Sequence, residues 1–515
     1  GASIRSDPPP ISHASLTGCA MSQLSPSRYT RWLLPAIILV YLILATLYAA
    51  FTPDWQAPDE PAHYNYIKYL AEQHRFPILK PGDYTAEYLE EIKAARFPAE
   101  MSIAPIRYEF HQPPLYYILA VPVYGLFGGS LLPLRLLSVA MGALLLLVIC
   151  WTVQAMVPDR AFLALGATAF VAFLPMHLAM TAAVNNDTLA ELLLATILLL
   201  SIRYLRLPGP ALGQPEGRRL LILLGITTGL GLLTKSAVYV AVPLVLLAIA
   251  LKHLWVEGAS LWGSLKSGVL YAIPAFLLGL PWWLRNIAIY GGFDFLGLNR
   301  HDEVVVGQLR TSEFVAGRGF GTLLHDFALT TFHSFWGQFG WMGVLLDERI
   351  YQALAILSAL ALTGFLLWAL DMWPKRATRL RWQWAGGCLL VVSGLLSLAA
   401  YLWYNAQFVQ HQGRYLFTAL VPIGLAVALG WRESLRHERS WLLVVILLMV
   451  AAALRLAGWL PNWPLLMVAL TAVAVAVRWF LPRRLDPLVQ ACPYLLLIAL
   501  DLVSLFFFVI PQLAA

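Results

Sequence analysis

Runs of about 20 consecutive apolar residues recur along nearly the whole chain, and they limit its possible folds more than any other feature. At 1.5 Å per residue, a helix of that length spans the roughly 30 Å hydrocarbon core of a bilayer. The runs do not alternate apolar with polar side chains, so they read as membrane helices and not as barrel strands. Composition agrees: of 515 residues, 60% are hydrophobic and 12% charged, about half the usual charge of a soluble domain. A soluble globular enzyme, a disordered chain and a secreted disulfide scaffold are excluded. The four cysteines, Cys19, Cys150, Cys388 and Cys492, have no metal-ligand spacing, and three of them lie in apolar runs.

The runs predict thirteen spans, at 32–51, 131–157, 161–181, 187–205, 219–234, 236–251, 267–284, 350–370, 384–403, 414–431, 440–458, 462–480 and 491–511. Residues 115–127 are too short and proline-interrupted to cross, and read as an interfacial or re-entrant helix. The net charge of +7 is spread over short loops, where positive-inside orientation explains it better than a nucleic-acid partner does. Arg203, Arg206, Arg218, Arg219, Lys252, Lys266, Lys375, Arg376, Arg379 and Arg381 then fall inside, with the N-terminus inside and the C-terminus outside. Counting 115–127 as a span would put most of these clusters on the wrong side. The expected fold is all-α, a polytopic transmembrane helical bundle with two large external loops carrying short surface helices. Its parts are a tail (1–30), a catalytic module (31–285) that includes the first external loop (52–130), an external loop (286–349) and C-terminal helices (350–515). The polar stretch before Met21 has no signal-peptide pattern and reads as part of the tail.

The external loops hold a disproportionate share of the acidic, histidine and tyrosine side chains. Pro58-Asp59-Glu60-Pro61-Ala62-His63-Tyr64 follows the first span. Its two carboxylates suit proton transfer or cation binding, and equally an acidic helix cap. Tyr108-Glu109-Phe110-His111-Gln112-Pro113-Pro114 opens the short helix, as a polar mouth or simply a rigid turn. Asn185-Asn186-Asp187-Thr188 reads as a site or as a cap, and Lys235 as an anion ligand or a snorkelling side chain. Trp283-Leu284-Arg285-Asn286 marks an external helix end, Phe335 to Trp341 an aromatic surface segment. His411-Gln412-Gly413-Arg414-Tyr415 places a guanidinium fork suited to phosphate at the mouth of the tenth span. No Walker A, dinucleotide-binding glycine fingerprint, HExxH or GxSxG pattern occurs.

In order and sidedness these motifs resemble the GT-C superfamily of polytopic glycosyltransferases, in particular protein O-mannosyltransferases and aminoarabinose transferase-like bacterial enzymes. The resemblance runs from about Arg31 to Arg432. It implies an inverting transfer of a sugar, hexose or pentose, from a polyprenyl-phosphate donor to a hydroxyl of an envelope glycan, lipid or protein acceptor. The reaction would take place on the external face of the inner (plasma) membrane. Asp59 matches the family's catalytic acid residue and would act as general base; Glu60 matches its neighbour. Lys235, Arg285, Arg414, His111 and His411 are the groups available for the donor phosphate, and His63, Tyr66, Gln112, Asn186, Asp187, Asn286 and Tyr415 for substrate contacts. No obligatory cofactor or metal is expected, although Asp187 lies near the position of a metal ligand in other branches. The segment Tyr290-Gly291-Gly292-Phe293-Asp294 departs from the acidic-proline ending seen in many relatives. Two rival classes remain at this point, a flippase for a lipid-linked saccharide and a polymer ligase using a pyrophosphate-linked donor.

Overall fold

The apolar runs become helices in a computed structural model that describes residues 28–374, 376–456 and 462–514. α1 (Arg28–Phe51) is followed by three short helices, α2 (Glu60–Gln73), α3 (Ala86–Ala94) and α4 (Leu115–Leu126). Then come α5 (Leu131–Met156), α6 (Ala161–Ala172), α7 (Pro175–Thr181), α8 (Asp187–Arg206), α9 (Pro215–Leu232), α10 (Ala241–Ala250) and α11 (Leu261–Tyr290). A 3-10 turn and a π-helical turn extend α10 into one span, Ser236–Val256. The next segment carries α12 (Leu298–Val304), α13 (Thr311–Arg318), α14 (Phe320–Trp336) and a hairpin of β1 (Gln338–Phe339) with β2 (Val344–Leu345). Then follow α15 (Glu348–Met372), α16 (Arg381–Gln407), α17 (Leu420–Ser434), α18 (Ser440–Leu456), α19 (Asn462–Phe480) and α20 (Asp486–Val503), which a π-helical turn (Ser504–Val509) continues into α21 (Ile510–Leu513).

The protein is therefore a multi-span membrane protein. Among the described residues, nine helices are long and apolar enough to cross a membrane, ten if α6 and α7 form one broken span. That break, a bend of 68°, falls where Pro175 removes a donor and pushes its predecessor out of helical geometry. Three predicted runs lie on helices that fall short of this test. α9 carries Glu216, Arg218 and Arg219 in its first turns, and α18 and α19 have shorter apolar parts, Trp441–Ala453 and Pro464–Phe480. α4, at 12 residues, is as short as its sequence predicts. The all-α expectation holds, with one small antiparallel hairpin of two residues per strand among the helices.

Small residues set the closest helix crossing. A Cβ on Gly364 of α15 would sit 2.0 Å from the Gly430 carbonyl oxygen of α17, and one on Gly430 would sit 1.9 Å from that of Ala361. Such backbone approach is how membrane helices associate without a hydrophobic driving force between them. The main core joins α1, α5, α6, α8 and α17, while outward-facing Trp403, Leu370 and Phe507 stay exposed. Four segments converge at one end of the bundle: the α1–α2 loop, the α7–α8 turn, the α9–α10 junction and the 3-10 turn Gly413–Ala419 before α17. Basic residues gather at the other end, where Arg206 bonds the Ala155 carbonyl and Arg381 that of Trp255.

Candidate active site

The backbone at Asp59 decides where the first carboxylate points. Asp59 holds the N-cap position of α2 at φ 67° and ψ −8°, a left-handed conformation, and its side chain makes no capping bond. Aspartate enters this region more easily than most residues, and the twist turns the carboxylate away from the helix. Oδ1 accepts a hydrogen bond from the Tyr108 hydroxyl at 2.8 Å, and Oδ2 accepts one from Arg414 Nη2 at 2.7 Å. The capping alternative left open by the sequence is thus excluded for this side chain.

Glu60, one residue on, faces the opposite way. Its Oε1 accepts Arg135 Nε at 2.8 Å and the Val184 N–H at 3.1 Å, and its Oε2 accepts Arg135 Nη2 at 2.6 Å. Glu60 is wholly buried, and both its oxygens are bonded within the protein.

Arg414 is 6% exposed and Asp59 29%, so the carboxylate stays reachable from outside while its partner is packed in. Burial alone would push the Asp59 carboxyl up. The Arg414 guanidinium outweighs it, helped by His63 and by the hydrogen bonds from Arg414 and Tyr108, and holds the group at about 2. Burial in turn holds the His63 imidazole below its usual value against the pull of Glu109 and Asp59. At neutral pH His63 is uncharged, and Arg414 carries the effect on Asp59. His63 Nδ1 lies 2.8 Å from the Tyr117 hydroxyl, whose ring stacks on Tyr66 at 3.6 Å.

A second ion pair adjoins the first. Lys235, in extended backbone between α9 and the next span, bonds Asp187 in the first turn of α8. Burial works against the ammonium, but the Asp187 carboxylate outweighs it and raises the Lys235 pKa. Asp187 and Lys235 keep 30% and 20% exposure, so this pair is also open to a ligand. Asn186 caps nothing with its side chain either; Nδ2 bonds the Thr234 carbonyl at 3.1 Å and Gln112 Oε1 at 3.4 Å. His63 feels the charges of Asp59, Asp187 and Lys235 together. Tyr415 lies 5.5 Å from the Arg414 guanidinium carbon. His111 Nδ1 donates to the Tyr108 carbonyl, 3.0 Å away, with its ring 4.6 Å from that of His301.

Asp59, His63, Tyr66, His111, Gln112, Asn186, Asp187, Lys235, Arg414 and Tyr415 therefore belong to one connected neighbourhood. Three expected ligands are tied elsewhere. Arg285 bonds the Pro77 carbonyl and Asn286 Oδ1 and lies over Trp282, so it staples the end of α11 to the first loop. Asn286 bonds the Phe295 carbonyl. His411 pairs with Asn405 Oδ1 at 2.9 Å and packs edge-on against Phe327.

Four participants had no assigned role in the sequence reading. Tyr108 bonds the base candidate, and Glu109, whose Oε2 is buried without a hydrogen bond, acts on His63 and Lys235. Arg135 anchors Glu60; an arginine inside a predicted span is costly without a carboxylate partner, and that was the available signal. His177 bridges the α6–α7 break, joining the Val171 carbonyl at 2.9 Å to Glu191 at 2.9 Å. Together the arrangement offers an ionised carboxylate able to take a hydroxyl proton, beside a guanidinium and an ammonium able to neutralise a phosphate.

Residues 96–296 match the family of dolichyl-phosphate-mannose-protein mannosyltransferases. The matched segment includes His111, Gln112, Asn186, Asp187, Lys235 and Arg285 but ends short of Asp59 and Arg414 on either side. The fold is similar to that of ArnT from Cupriavidus metallidurans in the apo state, with a TM-score of 0.52 at 14% identity over 93% of this chain and 76% of that one. ArnT bound to undecaprenyl phosphate gives 0.48 at 17% identity over 92% of this chain and 77% of that one. The Archaeoglobus fulgidus oligosaccharyltransferase tethered to an acceptor peptide gives 0.49 at 14% identity over 92% of this chain. The chain spans 55% of that enzyme's length. No curated protein sequence matches the chain. The GT-C resemblance read from the motifs thus agrees with both the family match and the fold.

Proposed function

We propose that this chain is an inverting glycosyltransferase that moves a sugar from a polyprenyl-phosphate donor to an acceptor hydroxyl at the external membrane face, with Asp59 as general base. The observation that supports it best is the Asp59–Arg414 ion pair beside Lys235–Asp187, two pairs that a phosphate would reorganise. The family description, with dolichyl-phosphate-mannose as its donor, supports the donor class. Thirteen spans with the N-terminus inside, in the inner membrane, remain part of this proposal.

In this reading the resting base is held in check. Both Asp59 oxygens are engaged, and a carboxylate with a pKa of about 2 is a weak proton acceptor. A donor phosphate competes for Arg414, whose planar fork fits it in two parallel bonds. As Arg414 turns to the phosphate, Asp59 loses its strongest stabilising charge and becomes a stronger base when the acceptor is needed. Lys235 supplies a second positive charge for the leaving phosphate. The acceptor proton then leaves late, from an oxocarbenium-like transition state. One base and no covalent nucleophile give a single displacement and inverted anomeric configuration.

The test is the purified chain in detergent with polyprenyl-phosphate sugars and candidate acceptors. Release of free polyprenyl phosphate that depends on acceptor and on Asp59 supports transfer. Its absence across all donors overturns the proposal in favour of transport.

A further inference from the structure

At the end of the bundle opposite Asp59, a cleft of about 480 Å³ opens between the loop after α8, the π-helical turn Leu251–Val256 and the start of α16. α8 runs from Asp187 at the candidate active site to Arg206 at this cleft. Its 20 residues put the two about 30 Å apart, the thickness of the hydrocarbon. The volume falls within the range of small-ligand sites.

The wall of the cleft is a polar framework, not a chance gap. Lys252 is fully buried, bonded to the Leu207 carbonyl and 3.3 Å from Glu257 Oε1. The same Glu257 oxygen accepts the Ala211 N–H at 2.9 Å, which pins the loop. Behind it, His253 Nδ1 lies 3.1 Å from Glu257 Oε2, while Nε2 meets Ser267 Oγ at 2.8 Å and the Tyr204 hydroxyl at 3.0 Å. A π-helical turn carries both Lys252 and His253, and such turns occur often at functional sites. Positive-inside sorting accounts for basic residues at this end of the helices, but not for a cavity built around a buried Lys–Glu–His network.

Arg206 gives the cleft its sign. Glu257 is committed to Lys252 and His253, leaving the guanidinium as the excess charge. It stacks over the Trp382 ring at 5.1 Å and gives one Nη1 bond to the Ala155 carbonyl. Its other N–H groups make no bond to described residues. A guanidinium plane held by an indole is preorganised for a phosphate. Beside the cleft, Leu254 and Trp255 are exposed on the outer, apolar surface of the same turn, where acyl chains would lie.

We propose that this cleft binds a phosphate-bearing headgroup of a lipid in the leaflet opposite the Asp59 site, with Arg206 as the phosphate clamp. The proposal does not rest on the transferase reading. The experiment follows the thermal midpoint of the purified full chain in uncharged detergent during titration with dihexanoyl-phosphatidylglycerol, glycerol phosphate or dihexanoylglycerol. A saturable rise with the first, and none with the phosphate-free lipid, is expected. A rise with glycerol phosphate as strong as with the lipid would assign the site to a soluble phosphate ester. Arg206→Gln should weaken the response about tenfold or more, the scale of a charge-assisted bond, with Arg206→Lys between it and the parent. Asp59→Asn and Lys235→Met should keep the response. No rise with either phosphate compound overturns the proposal, as does a rise that survives Arg206→Gln or disappears with Lys235→Met.

Discussion

Glu60→Gln tests the separation of roles between the two adjacent carboxylates. All five N–H donors of Arg135 are in use: Nε and one Nη2 proton on Glu60, and the others on the carbonyls of Ala49, Thr52 and Pro53. Those carbonyls belong to the last turn of α1 and the two residues after it, so a single guanidinium joins the exit of α1 to the entry of α2, with Asp59 between them. Glutamine keeps the shape but places an NH2 group against donors, and it leaves a buried cation without its bonded counter-charge. Breaking such a pair costs about 3–5 kcal/mol, a large share of a typical stability of about 5–15 kcal/mol. A thermal melt in detergent should show a clear drop in the midpoint. Turnover per folded molecule should also fall, up to about 100-fold if Asp59 shifts by about 1 Å. Arg135→Lys should resemble it, since an ammonium has three donors for five acceptor contacts. An unchanged midpoint with lost turnover would make Glu60 a catalytic residue and refute the reasoning. Unchanged values of both would refute it too.

Asp59→Asn should abolish turnover yet bind donor as well as the parent or more tightly, because Arg414 is freed; Arg414→Ala should lose donor affinity, both read by lipid-binding titration. Lys235→Met should raise the donor KM and lower kcat about 10- to 100-fold, the loss of one charge-assisted contact in a shielded site. Gly413→Ala should destabilise by roughly 1–3 kcal/mol or more, since its Cβ would lie 2.3 Å from the Thr331 carbonyl oxygen and 2.5 Å from the Phe335 nitrogen; an unshifted melt would show that α14 yields. Burial holds His63 and His111 below the usual histidine value of 6.5, and His301 adds to the effect on His111. The unfolded chain therefore takes up protons first, and stability present above pH 6.5 is lost as pH falls below it. Asp59 acts only between its ordinary value of 3.8 and about 2, so His63→Gln should flatten the decline in melting midpoint below pH 6.5 while Asp59→Asn should not.

The spans were legible because length and apolarity are local properties, and so was the gathering of polar motifs at one end, because alternating crossings bring every second loop together. What each motif does there was not. Asp59 and Glu60 are neighbours in the chain, yet a left-handed backbone at Asp59 sends one carboxylate toward Tyr108 and Arg414 and leaves the other against Arg135. A pattern of residue types carries no φ angle. Nor does it carry pairing at a distance: Arg414 lies 355 residues from Asp59, and Arg135 lies 75 from Glu60 inside a run that reads as plain membrane helix. Sidedness also grouped too much. Arg285 and His411 were grouped with Lys235, but the first bonds the Pro77 carbonyl and the second Asn405. At this end of the bundle, Arg414 and Lys235 are the cations whose present partners are carboxylates, and this has a chemical consequence. An ion pair can be exchanged for another anion without exposing a bare charge. In the proposed mechanism Arg414 and Lys235 are thus both stable at rest and available to a substrate, and Asp59 would become a base only when that exchange occurs.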